Sequence, residues 1–171
     1  MVEFEFKPAL CLDLDGTIRY SKSGEFIDRP SDVVVYDDVE EKLWEYRDNG
    51  YLIFGISNQG GVAFGYRTRE LDHAILAETI RQFEENPFYI VKTSYHHPDG
   101  DVEPYCHRSM FRKPQTGMLA FCEVSAWRNG IVVDWDNSLF VGDRPEDKEC
   151  AEKADIEFVS ANEFFGRSES D

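Results

Sequence analysis

Apolar residues along the chain gather into short unbroken runs, and between those runs they recur at helical spacing. "ALCL" (9–12), "YLIFGIS" (51–57), "FYIVKTS" (88–94), "SLFVGD" (138–143) and "IEFV" (156–159) read as strands, and their continuity suits strands of a parallel sheet buried on both faces. "DDVEEKLWEYRD" (37–48) has acids in its first turn and is stopped by Asn49-Gly50, which predicts a helix. "TRELDHAILAETIRQFEE" (68–85) sets Leu71, Ile75, Ile80 and Phe83 near one helical face. Further helices are predicted from about 117 to 127 and over "PEDKECAEKA" (145–154). The polar stretch up to Pro30 reads as a flap or hairpin, a polar loop runs to about Gln115, and the tail "GRSESD" is expected to fray. Strand and helix alternate throughout, so the expected fold is a doubly wound, Rossmann-like α/β sheet with helices on both faces. No repeat, low-complexity tract or linker divides the sequence, and a single domain over residues 1–171 is expected.

In such a sheet the site lies at the carboxyl ends of the strands, and here those ends are polar. The first strand runs into Asp13 and Asp15, followed at once by Gly16-Thr17. Alternation sends the two carboxylates to one side and Leu14 to the other, and two adjacent acids persist only with a counter-charge such as a metal or a lysine. The second strand ends in Ser57-Asn58-Gln59 before Gly60-Gly61, and the fourth in Gly142-Asp143 with Asp147 one helical turn on. Arg112 and Lys113 lie in "FRKPQTG", just before the helix at 117. These groups describe an Mg²⁺-assisted phosphoryl-transfer site, in which Asp13, the Asp15 carbonyl and Asp143 supply the hard oxygen ligands that Mg²⁺ prefers.

Composition narrows the class. The chain is 42% hydrophobic and 14% aromatic, as a packed globular protein is. Its formal net charge of −16 disfavours nucleic-acid backbones and anionic membranes, because binding them needs clustered lysine and arginine. No apolar run reaches the ~20 residues of a membrane helix, and "MVEFEFKP" lacks the basic head of a signal segment, so a cytoplasmic protein is expected. The scattered Cys11, Cys106, Cys122 and Cys150 then read as reduced thiols.

"DLDGT", a serine after the second strand, "RKP" and "VGDRPED" resemble, in order, the four motifs of the haloacid dehalogenase superfamily of aspartate-nucleophile phosphatases, over residues 8 to about 159. The resemblance implies Asp13 as nucleophile, Asp15 as general acid and base, and Ser57 and Asn58 as donors to the phosphoryl oxygens. It further implies Lys113 as the neutralising cation and Asp143 as the last Mg²⁺ ligand, supported by Asp147. "SNQGGVAFG", "YHHPDGD" and "FRKPQTGML" resemble more narrowly the histidinol-phosphate and heptose-bisphosphate phosphatase branch, which has little or no cap domain. In that branch Arg112 would help to hold the substrate.

That branch also carries a zinc loop, Cys-x-His followed by Cys-x-Cys before Arg-Lys-Pro. Here Ser94, Ser109 and Phe111 stand in three of the four ligand positions and only His96 matches. A rewired structural zinc site from His96, Cys106 and His107, with His97 nearby, is one expectation, and an ordinary polar loop is the other. Arg19, directly after "DGTI", is expected at the surface or the site's rim. The function expected is an Mg²⁺-dependent phosphomonoesterase acting through an aspartyl-phosphate on a small phosphorylated metabolite, of sugar phosphate, bisphosphate or histidinol phosphate type. The alternatives are a polynucleotide 3′-phosphatase, which shares the core, and a catalytically degenerate binding module.

Overall fold

The computed structural model describes residues 4–168. Its elements are β1 (Glu5–Lys7), β2 (Ala9–Leu12), β3 (Arg19–Ser21), β4 (Val33–Val35), α1 (Val39–Asp48), β5 (Leu52–Asn58) and α2 (Arg69–Arg81). There follow β6 (Ile90–Ser94), α3 (Gly117–Trp127), β7 (Ile131–Val133), β8 (Leu139–Gly142), α4 (Pro145–Lys153), β9 (Glu157–Ser160) and α5 (Ala161–Phe165). Five strands form one parallel sheet in the order β6-β5-β2-β8-β9. The chain winds outward from β2 to β6 on one side, then returns to pair β8 with β2 on the other. The winding therefore changes direction beside β2, where open α/β sheets bind their ligands.

Strand alternation divides the core between the two faces. Ala9, Cys11, Phe54, Ile56 and Phe140 pack with Met118, Leu119 and Cys122 of α3 and with Cys150 and Ala151 of α4. Leu10, Leu12, Ile53 and Val141 turn the other way, onto Val39 and Leu43 of α1 and Ala161 of α5. Neither face is wet, which is why the strand runs are continuously apolar. At roughly 1.5–3 kcal/mol for each large apolar side chain buried, this double layer is what holds the strand ends in register.

Three features depart from the sequence expectation. β1 and β7 pair in parallel as a separate two-stranded ribbon, Glu5 opposite Ile131 through Lys7 opposite Val133; each is too short to show periodicity. The expected helix over 68–85 ends at Arg81 and its apolar residues are divided: Leu71 and Ile75 pack on Ile27 and Val33, whereas Ile80, with Phe83 just past the helix end, joins the sheet core. Ile27 and Val33 belong to the flap, whose strands β3 and β4 pair antiparallel as a hairpin. The third departure is in the tail. Arg167 donates to both Asp38 oxygens at 2.6 and 2.8 Å and to the Thr17 carbonyl at 3.0 Å, with its guanidinium over the Tyr36 ring. Charge pairing and stacking thus hold Arg167, while the rest of the tail (169–171) and the opening Met1–Glu3 lie outside the described residues. Among the described residues no helix is long and apolar enough to cross a membrane, and the four cysteines are free thiols, Cys11, Cys122 and Cys150 buried.

Candidate active site

Asp13 follows directly on β2 and continues its pairing, its N–H donating to the Val141 carbonyl at 3.0 Å. The chain then turns at Gly16, whose φ of +85° is left-handed. A Cβ on Gly16 would lie 2.2 Å from Asp143 Oδ2, so the glycine both permits the turn and lets the ends of β2 and β8 meet.

Lys113 reaches this point from a loop 100 residues away in the sequence. Its buried ammonium lies 2.6 Å from Asp13 Oδ1, 2.6 Å from Asp147 Oδ1 and 2.8 Å from the Ile56 carbonyl. Burial alone would favour loss of its proton, but Asp13 and Asp147 hold its pKa above the ordinary lysine value. Burial raises the Asp13 carboxyl, and the nearby negative charges of Asp147 and Asp15 add to the rise against the pull of Lys113. Asp147 is fixed by its second oxygen, Oδ2, which accepts from the Arg144 N–H at 3.0 Å at the start of α4.

Asp15 faces a different set of partners. Its Oδ1 accepts from Arg19 Nε at 2.7 Å and its Oδ2 from Gln59 Nε2 at 2.6 Å. Burial works to raise its pKa, but Arg19 and Gln59 outweigh it and the carboxyl lies below the usual range. The same Gln59 amide donates to Ser57 Oγ at 2.7 Å, leaving the serine hydroxyl hydrogen to donate elsewhere. Asp15 and Ser57 are therefore linked through Gln59. The Asn58 side chain bonds the Lys113 main chain, its Oδ1 accepting from the Lys113 N–H at 2.9 Å and its Nδ2 donating to the Lys113 carbonyl at 3.0 Å. Arg19, expected at the surface or rim, is 1% exposed.

Carboxylate oxygens of Asp13, Asp143 and Asp147 lie within 4.8 Å of one another. Beyond its ion pair with Lys113, the buried Asp147 Oδ1 has no hydrogen-bond partner. Burial and Asp147 raise the Asp143 carboxyl. Three carboxylates against the Lys113 ammonium and the exposed Arg144 guanidinium, 3.6 Å from Asp143 Oδ2, still leave an excess of negative charge, and an all-oxygen set of this kind fits a hard divalent cation. The Asp15 side chain is turned away toward Arg19 and Gln59, so its main-chain carbonyl is the part left for the ligand role expected of it.

Arg112 Nη1 donates to the His96 carbonyl at 3.1 Å, and burial lowers its pKa. With Arg108, Met110, Lys113 and Gln115 it lines a cavity of about 340 Å³. The expected zinc ligands do not come together. Cys106 and His107 group with Glu103, which His107 Nε2 meets at 2.8 Å, and His96 is not of that set. The His96 ring instead packs edge-on to Tyr105 with its Nδ1 buried and unpartnered. A four-ligand site cannot be read from residue types alone when loop packing sends one of them elsewhere.

Of the groups that hold Asp15, sequence reasoning missed Gln59 and misplaced Arg19, whose Nη1 also donates to Thr79 Oγ1 on α2 at 2.7 Å. Gln59 had a signal in its position two residues past Ser57 at a strand end; Thr79, inside a helix, had none.

A family model described as polynucleotide kinase 3 phosphatase matches residues 9–165. A Thermoplasma volcanium protein named "Probable D-glycero-D-manno-heptose-1,7-bisphosphate 7-phosphatase" is 34% identical over 87% of this chain and 94% of its own. The chain belongs to the haloacid dehalogenase phosphatases, in the heptose-bisphosphate branch. The Escherichia coli D-glycero-beta-D-manno-heptose-1,7-bisphosphate 7-phosphatase is 30% identical to this phosphatase over 87% of the chain and 75% of the enzyme. Among solved structures, a had-like phosphatase of Mesorhizobium loti superposes with a TM-score of 0.75 at 26% identity, covering 91% of this chain and 72% of its own. The D,D-heptose 1.7-bisphosphate phosphatase of B. bronchiseptica, complexed with magnesium and phosphate, gives 0.66 at 21% identity over 91% and 78%. It shares the fold of this phosphatase.

Proposed function

We propose that this phosphatase is an Mg²⁺-dependent phosphomonoesterase that hydrolyses a small phosphorylated sugar or related metabolite through an aspartyl-phosphate. The observation that carries the proposal is the convergence on Asp13 of one buried ammonium, Lys113, and two further carboxylates, Asp143 and Asp147. A purely structural ion pair needs one acid for one base; this cluster is left negative, as a cation-assisted phosphoryl site must be before the cation and phosphate arrive. Asp13, Asp143 and the Asp15 carbonyl would hold Mg²⁺, which when bound neutralises charge on the phosphoryl group. The B. bronchiseptica relative, complexed with magnesium and phosphate, supports that choice of metal.

Asp13 attacks phosphorus, forming the Asp13–phosphorus bond as the bond to the leaving oxygen breaks. Lys113 neutralises charge between Asp13 and the phosphoryl oxygens, and the Ser57 hydroxyl donates to one of them. Asp15, ionised in the free protein, relays to the leaving oxygen the proton that a phosphate monoanion brings in, then takes one from the water that attacks the aspartyl-phosphate, releasing inorganic phosphate and restoring Asp13. The Asn58 side chain acts one step back, on the main chain of Lys113. Arg112 and Arg108, at the cavity of about 340 Å³, suit a second anionic group on the substrate. Heptose-bisphosphate relatives support a bisphosphate of this size. The four free thiols support a reducing, cytoplasmic setting, and we take residues 1–171 as one catalytic domain.

The test is phosphate release from heptose bisphosphate, simple sugar phosphates, histidinol phosphate and 3′-phosphorylated DNA, each with and without Mg²⁺. We expect a sugar bisphosphate to give the highest kcat/KM. A second reading, polynucleotide 3′-phosphatase, takes its support from the description of the matching family model. The net charge of −16 stands against it, because a polyanion is repelled at long range. Preference for the DNA at physiological salt would replace the first reading with the second.

A further inference from the structure

Arginine is among the residues least often buried, and a guanidinium taken out of water is costly unless something uses it. The side chain of Arg19 is 2% exposed. It spans two elements. Its Nε donates to Asp15 Oδ1 just past β2, and its Nη1 donates to Thr79 Oγ1 on α2, each at 2.7 Å. Thr79 in turn donates its own hydroxyl to the Ile75 carbonyl at 2.9 Å, which turns an oxygen lone pair toward Arg19. The main chain closes the same loop, with the Gly16 N–H on the Arg19 carbonyl at 2.8 Å and the Arg19 N–H on the Leu14 carbonyl at 3.0 Å.

The other oxygen of Asp15 is held by Gln59. Each carboxylate oxygen thus receives one donor, and each keeps a second lone pair for proton exchange. The Asp15 side chain is 44% exposed while that of Arg19 is not, so Arg19 cannot touch a substrate and acts through Asp15.

We propose that Arg19 is a positioning residue of the reaction: anchored on Thr79, its guanidinium fixes the Asp15 carboxylate where it exchanges protons with the leaving oxygen and with the attacking water. This rests on the acid–base role proposed above for Asp15. A planar fork that bridges two oxygens in different elements sets an angle as well as a distance, and proton transfer depends on both.

The experiment is rapid mixing with 4-nitrophenyl phosphate and with an alkyl phosphate, in the presence of Mg²⁺. Nitrophenolate leaves without a proton, whereas an alkoxide needs one, and breakdown of the aspartyl-phosphate needs Asp15 for either substrate. For Arg19→Met we expect a burst near one nitrophenolate per active site at close to the wild-type rate. Steady-state turnover should then fall by about 100-fold, with no alcohol burst from the alkyl phosphate. Equal loss of burst and steady state, or no loss at all, overturns the proposal. If Arg19→Met does not fold, Thr79→Val decides, since it removes only the anchor: the same burst with a smaller fall supports the proposal, and wild-type kinetics overturn it. Asp15→Asn is the control. Should it give no burst, the acid–base role of Asp15 fails; should it burst while Arg19→Met loses both phases together, the Arg19 proposal alone fails.

Discussion

Asn58 holds the main chain of Lys113 from both sides, its Oδ1 accepting from the Lys113 N–H at 2.9 Å and its Nδ2 donating to the Lys113 carbonyl at 3.0 Å. The side chain at the end of β5 thereby sets where the ammonium of a loop residue 55 positions later arrives. Asn58→Ala leaves two main-chain groups without partners, at a cost of about 1–3 kcal/mol. We expect kcat to fall at least tenfold with KM changing less, because Lys113 loses its aim toward Asp13. Denaturant unfolding and steady-state kinetics of the one variant check both parts; unchanged kcat would show that Lys113 is positioned by other contacts.

Asp13→Asn should abolish turnover without lowering the thermal midpoint. The amide has the shape of the carboxylate but not its nucleophilicity. It also removes a buried charge that burial and Asp147 disfavour, while Lys113 keeps its pair with Asp147. Calorimetry beside an aryl-phosphate assay measures the two effects. A variant with wild-type turnover would remove Asp13 from the chemistry.

Mg²⁺ should raise the thermal midpoint of the metal-free protein, since a cation that binds only the folded state stabilises it by about 2.7 kcal/mol at a hundred times its Kd. Chelation should abolish activity and Mg²⁺ restore it, whereas Ca²⁺, with its larger and looser shell, should inhibit. Asp143→Asn should lose most of the thermal shift, because Asp143 is one of the three carboxylates that converge. Retention of the full shift in that variant would place the cation elsewhere.

Gly16→Ala combines a left-handed φ of +85° with a Cβ 2.2 Å from Asp143 Oδ2. Strained backbone costs of order 1–3 kcal/mol, and here relief must come from moving a proposed ligand. We expect lower stability together with a weakened response to Mg²⁺. Titration of the thermal midpoint against Mg²⁺ separates the two, and a variant that is only less stable would exonerate Asp143.

Arg112→Ala should lower kcat/KM for a sugar bisphosphate by about tenfold or more, the loss expected when a charge-assisted hydrogen bond is removed. An aryl phosphate, with no second anionic group, should change little. Equal losses on both would assign Arg112 to the reacting phosphoryl group instead.

The sequence by itself determined the layered sheet, the strand order of its chemistry and the acids at the strand ends. A strand such as β5 must be apolar over residues 52–56 to be buried on both faces, and that leaves Asp13, Asp15, Ser57 and Asp143 conspicuous where the runs stop. Only the tertiary structure decided which polar group meets which. Asn58 and Lys113, Arg19 and Thr79, and Lys113 and Asp147 are brought together by folding from distant segments. A local pattern records whether a side chain will be buried, and says nothing of which donor will be waiting there. The same limit explains His96, which shares a loop with Cys106 and His107 but is turned by its packing onto Tyr105. Arg19 is the sharpest case. Its charge predicts solvent, and what overrides it is an acid four residues back together with a threonine hydroxyl 60 residues ahead.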